Sequence, residues 1–186
     1  MLYITAAIAA VLLVYIVFAY NKGISLRNYM REAFATMDVY LKKRWELIPR
    51  LADSVKGEVK YESSTLQKII GLRSQAYSGM SDEQKIHANS ELGYIGPQFV
   101  AITESYPELK SNTSFLKLMD SLTELENEIA TARKYYNGTV RELNTFLEIF
   151  PTNIIGKLFN ICKAEYFQID ESEREAAVIT GEDLNA

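Results

Sequence analysis

A net charge of −4 over 186 residues, with 20 Lys and Arg against 24 Asp and Glu, excludes nucleic acid as the main partner. One cysteine, Cys162, and one histidine, His87, exclude an intramolecular disulfide, a multi-histidine metal site and a His-Glu-x-x-His protease centre. The charge is uneven: residues 22–73 carry 11 basic and 6 acidic side chains, and residues 74–186 carry 9 and 18.

The first charged side chain is Lys22. Residues 2–20 are apolar or small apart from Thr5, and as a helix they span roughly 28 Å, about the hydrocarbon thickness of a bilayer. Tyr3 and Tyr20 stand near the two ends, where an amphipathic ring suits the membrane interface. Val17-Phe18-Ala19 offers a cleavage site for a signal peptide, but no basic side chain precedes the apolar run, so the reading is a permanent anchor. Lys22, Arg27, Arg31, Lys42, Lys43 and Arg44 follow it, which by the positive-inside rule sets the N-terminus outside and the body in the cytoplasm.

From Ile24 to Gly57, Leu26, Met30, Ala33, Met37, Tyr40, Leu41, Ile48, Leu51 and Val55 recur at helical spacing, with a kink or a new helix start expected at Pro49. The segment from Glu58 to Tyr77 is predicted helical on Leu66, Ile69, Ile70 and Ala76. A turn at residues 78–82 precedes a helix to about Tyr106, capped by Ser81 or Asp82 and kinked or split at Gly96-Pro97. The strongest period lies between Phe115 and Phe150, a heptad seam through Leu122, Leu125, Ile129, Tyr136, Val140, Leu143 and Leu147 with one stutter. Asn112 or Thr113 can cap it and Pro151 ends it. A short amphipathic element follows from Asn153 to Phe159, to dock a partner or fold back on the body; the acidic tail predicts a solvated end.

The fold class expected is all-α: an N-terminal transmembrane helix at residues 1–21, an antiparallel four-helix bundle at 22–167, and a flexible tail at 168–186. No glycine-rich phosphate loop, dinucleotide fingerprint or Gly-x-Ser-x-Gly elbow occurs, and no cofactor or metal is called for. The chain therefore reads as non-catalytic.

Several blocks carry a resemblance. They are residues 26–28, 32–44 and 47–57, then 106–112 followed by Phe115, residues 126–137, Asn144-Thr145, residues 150–155, Phe159 and Tyr166-Phe167. In this order they resemble the LemA family. The resemblance implies a bacterial protein with one N-terminal span and an antiparallel helical bundle, some of whose relatives are associated with magnetosome membranes. It brings no catalytic residues.

Asp38, Arg44, Glu126, Arg133 and Asn137 lie on or beside the apolar seams, so they are candidates for a polar layer fixing helix register, or for a partner contact. Lys42, Lys43 and Arg44 are candidates for anionic lipid headgroups. The reading is a single-pass protein of the bacterial inner membrane that meets the bilayer through residues 2–20 and binds a protein or its own copies. A membrane-organising scaffold and a ligand-sensing bundle are the alternatives.

Overall fold

The computed structural model describes residues 1–55, 77–93 and 95–167, with Glu91 by its backbone alone. Among these residues every regular element is helical, so the chain is all-α. Helix α1 runs from Leu2 to Val55, α2 from Asp82 to Leu92, α3 from Ile95 to Ser105, α4 from Thr113 to Glu148 and α5 from Thr152 to Leu158. Two 3₁₀ turns, Tyr77–Gly79 and Pro107–Ser111, join the series. The helix predicted from Glu58 and the acidic tail beyond Phe167 lie outside the described residues, and with them the count of four helices.

The anchor runs into the next helix without a break. Proline would lose a backbone hydrogen bond and crowd the preceding turn, yet α1 continues through Pro49. Burial on both sides holds it: Ile48, Leu51, Ala52 and Val55 are all buried, and each large one contributes about 1.5–3 kcal/mol. No new helix starts there. α1 is the one helix among the described residues long and apolar enough to cross a membrane. Only 6% of its most apolar 18-residue window is buried, unlike the core helix of a soluble domain.

Capping sets the shorter helices. The Ser81 hydroxyl accepts from the Gln84 N–H while the Gln84 side chain accepts from the Ser81 N–H, a reciprocal box that starts α2. α2 ends at Gly93, and Gly96-Pro97 fall in the first turn of α3, so the break comes before that pair. A proline there gives up an N–H that has no helical partner. Asn112 caps α4, its Oδ1 accepting from the Ser114 and Phe115 N–H groups at 3.2 and 3.1 Å.

The chain divides into two units. One holds Met1–Met37 and Ala132–Phe167; the other, among the described residues, holds Asp38–Thr131. In the first, the Phe34 and Tyr136 rings meet edge to face at 5.7 Å, and Gly23 lies against Phe146 and Ile161. α1 and α4 are therefore antiparallel here. A Cβ on Gly23 would come within 2.8 Å of Ile161 and 2.9 Å of Phe146, so only glycine allows this approach without rearrangement. Ala19, Leu26, Leu143, Phe146, Ile155 and Ile161 form the unit's apolar cluster. The seam departs from expectation at its end: α4 stops at Glu148, Phe146 takes the buried position and Phe150 is 79% exposed. Beyond a cis Phe150–Pro151 peptide, α5 folds back through Ile155 and Gly156. In the second unit Leu41, Trp45, Ile48, Leu51, Phe99, Leu109, Phe115, Leu122 and Ile129 are buried.

Candidate functional site: a buried charged hub and an open groove

Arg44 lies on the buried side of α1, 2% exposed, and its guanidinium is shared between two helices. Nη1 donates to both Glu126 carboxylate oxygens of α4, at 3.1 and 3.0 Å. Nε and Nη2 donate to Asn89 Oδ1 of α2 at 3.3 Å, and Nη2 also donates to the Asn89 carbonyl. Asn89 is fully buried and donates through Nδ2 to the Lys85 carbonyl at 3.0 Å. The planar, five-donor fork of arginine suits one cation binding two partners; lysine would not reach this pattern.

A second polar group lies in the same unit. The Asp38 carboxylate accepts from the Tyr77 hydroxyl at 2.6 Å and from the Lys85 ammonium at 2.8 Å. Lys85 also sits 5.3 Å from the Tyr77 ring centre, and Trp45 packs on the same ring at 5.6 Å. Burial first, then the hydrogen bond to Asp38 and the charge of Asp38, hold the Tyr77 hydroxyl protonated far above its ordinary 10.0. Asn89 and Arg44 pull weakly the other way. Tyr77 therefore serves as a donor, not as a base.

An open groove of about 550 Å³ runs between α1 and α4 in this unit. Leu47 and Leu125 contribute apolar surface, Lys43, Glu46 and Arg50 line the α1 side, and Glu124 and Glu128 the α4 side. The five charged side chains are exposed. The Lys43 ammonium lies over the Tyr40 ring at 5.5 Å.

The first unit relies mainly on neutral polar contacts, beside an exposed ion pair of Lys163 with Glu148 at 2.6 Å. The Asn144 side chain donates to the Ala164 carbonyl at 2.9 Å and accepts from its N–H at 3.0 Å. Asn137 does the same to Phe167, both at 2.9 Å, and the Tyr136 hydroxyl donates to the Glu165 carbonyl at 2.9 Å. Seven helical residues and three extended residues both span roughly 10 Å, so the two asparagines match the strand-like rise of the segment they hold. Asn160, at φ 51, is the non-glycine residue in the left-handed region where the chain turns into this segment.

The five residues expected in one polar layer thus divide into three groups. Arg44 and Glu126 meet each other. Asp38 meets Tyr77 and Lys85. Arg133 stacks over the Phe167 ring at 5.3 Å, and Asn137 holds the Phe167 backbone. The basic trio divides too: Lys42 and Lys43 are exposed, but Arg44 is buried and saturated by protein partners, so it is not a lipid contact. Asn89, Tyr77 and Lys85 carried no periodic signal in the sequence. Asn137 and Asn144 did: two asparagines seven residues apart share one face of a helix.

Among the described residues no group of three or more His, Cys, Asp or Glu is arranged for a metal ion. His87 and Cys162 are exposed.

A family model described as LemA family matches residues 33–180. Protein LemA of Metamycoplasma hominis is 27% identical over 167 residues, covering 86% of this chain and 74% of its own. Magnetosome protein MamQ 2 of Paramagnetospirillum magneticum is 34% identical over 81 residues, covering 44% of this chain and 30% of that protein. Magnetosome protein MamQ of Magnetospirillum gryphiswaldense is 24% identical over 102 residues, 55% of this chain and 38% of its own. This chain therefore spans well under half the length of both magnetosome proteins.

Proposed function

Since the chain belongs to the LemA family, we propose that it is a non-catalytic, single-pass membrane protein whose helical body binds other proteins, or further copies of itself, at the membrane. The apolar stretch of α1 supplies the attachment. Lys22, Arg27 and Arg31 after that stretch put the body on the cytoplasmic side of a bacterial inner membrane.

The groove between α1 and α4 carries this reading. Its apolar surface is flanked on the α1 side by Lys43, Glu46 and Arg50, cationic on balance, and on the α4 side by the carboxylates of Glu124 and Glu128. That pattern suits an amphipathic helix with an apolar ridge and opposite charges along its two edges. Beneath it, Arg44 ties α1 to α4 and to α2, so the groove sides are fixed before a partner arrives. A rigid groove spares the ordering cost of association.

The test is photo-crosslinking of the full-length protein in its native membrane, with the reactive residue at Glu128. A product of defined mass, lost in the Lys43→Glu, Arg50→Glu double variant, supports the groove. If the product is a foreign protein the chain is an adaptor; if it is a multiple of the chain's own mass, self-assembly is the function. A product indifferent to charge reversal sinks the groove as the contact.

The similarity to magnetosome proteins favours a second reading, a scaffold that organises membrane. Lys42 and Lys43 are both exposed, but they lie about 33 Å past Tyr20 along the unbroken α1, so they would meet anionic headgroups only of a second membrane brought up to the body. Replacing both with Gln should weaken binding to anionic vesicles, by about 1 kcal/mol per cation.

A further inference from the structure

The first unit carries an apolar surface that its own core does not use. α5 turns Ile155 and Gly156 inward. Ile154 and Leu158, one turn apart on the helix, are 55% and 69% exposed, and Phe150 just before it is 79% exposed. Ile149 and Phe159 extend the same apolar run in sequence and are also exposed. In water, a seven-residue helix with both an inner and an outer apolar side has one side too many.

Its position accounts for the second side. The Phe159 ring meets the Tyr20 ring at 4.6 Å. Ile155 and Ile161 share a cluster with Ala19, and Tyr15 packs against that cluster. Ala19, Tyr15 and Tyr20 belong to the apolar stretch of α1. Tyr15 lies about 7 Å before Tyr20 along the helix axis. α5 is therefore packed beside the last turn and a half of the segment that crosses the bilayer, at the end marked by Lys22. Helices lying in a membrane interface sit about 5–10 Å into the boundary of headgroups and acyl chains. The two depths agree. Lys157 and Lys22 are exposed cations at this level, and a lysine there can keep its stem in the apolar layer and its ammonium among phosphates.

We propose that α5, with Ile149 and Phe150 before it and Phe159 after it, is a membrane foot: it lies in the interfacial layer of the same bilayer that α1 crosses, its outer apolar side against acyl chains. This rests on the membrane-crossing reading of α1 above. The foot gives the unit a second, lateral attachment, so α1 cannot rotate freely about its own axis.

The test uses the full-length chain in phosphatidylcholine–phosphatidylglycerol vesicles. On a Cys162→Ser background, Leu158→Cys carries an environment-sensitive fluorophore and Tyr135→Cys, exposed on α4, is the comparison site. Nitroxide lipids should quench the label at position 158 about threefold or more strongly than at 135, with a blue-shifted emission. Equal quenching, in protein that resists an alkaline carbonate wash, overturns the foot and leaves the anchor standing. Loss of the protein in that wash overturns the anchor and the foot together. A blue shift that grows with the protein-to-lipid ratio, without lipid quenching, assigns the surface to a second copy and also overturns the foot. An Ile154→Asp, Leu158→Asp variant should still fold, because neither side chain belongs to the protein core, while amide exchange in α5 speeds up in vesicles.

Discussion

The two units solve the same problem with opposite chemistry. In the first, α1 and α4 are joined by an apolar cluster and by neutral asparagine side chains bonded to backbone. In the second, helices are joined through a buried guanidinium, two carboxylates and an ammonium. The difference follows from what each holds. A side-chain amide carries a donor and an acceptor that match one residue's backbone C=O and N–H, whereas a guanidinium carries five donors and suits several side-chain acceptors. The second unit pairs Arg44 with Glu126 and Lys85 with Asp38, and the remaining Arg44 donors are taken by Asn89. Neutral clamps fix a segment of backbone; charged hubs fix the register of helices.

The contrast is most directly broken at Arg44. Arg44→Ala leaves Asn89 and Glu126 without their donor. Loss of one partner from a buried pair costs about 3–5 kcal/mol, and the lower end applies because Glu126 keeps 35% of its side-chain exposure. Denaturant melts of the detergent-solubilised chain should show this loss, and Glu126→Gln together with Arg44→Met should recover part of it. Equal stability of the single variant and the parent would remove the hub from the fold's support.

Asn144→Asp should cost less, about 1–3 kcal/mol, because it sets a carboxylate against the Ala164 carbonyl that the amide now bonds. Hydrogen exchange would report it locally: the Ala164 amide should speed up while Phe167, held by Asn137, changes little. Similar acceleration at both would mean that the segment is held as one piece.

Gly23→Ala tests the close approach of α1 to Phe146 and Ile161. Overpacking costs about 1–3 kcal/mol, and the better helix propensity of alanine returns about 0.5–1, so a net loss near 1 kcal/mol is expected in thermal melts. A stabilised variant would show that both side chains yield freely.

The smallest effect concerns pH. The Tyr77 hydroxyl is held protonated in the folded state above the 10.0 of the unfolded chain. The folded state thus binds more protons than the unfolded one above that value, and stability falls as pH rises past 10. Below it this group contributes no slope. Melting temperatures of the parent should drop between pH 10 and 11 more steeply than those of Tyr77→Phe. Parallel curves would place the proton elsewhere.

How much of this was legible depends on the range of the interaction. The period of 3.5 to 3.6 residues marked α1 and α4, and Ser81 and Asn112 announced two helix starts, since capping needs only a few neighbouring residues. The LemA membership was written in separated blocks of sequence. Arg44 and Glu126 could be named, since both border apolar seams. The pairing of Arg44 with Asn89 could not, because it brings together residues 45 apart on different helices. Phe150 was misplaced on the seam for the same reason: a heptad count continues until something stops it, and what stopped it was the turn of the chain onto α5.

The sequence by itself determined the all-α class, the apolar helix and its charged flank, and the family, because hydrophobic period, capping and composition act along the chain. Tertiary structure alone decided that Arg44 is buried and not a lipid contact, that Asn137 and Asn144 grip a backbone segment, and that α5 packs beside the end of the apolar stretch. Those outcomes depend on which surfaces meet across long loops, and a side chain's solvent and partners are fixed only when they do.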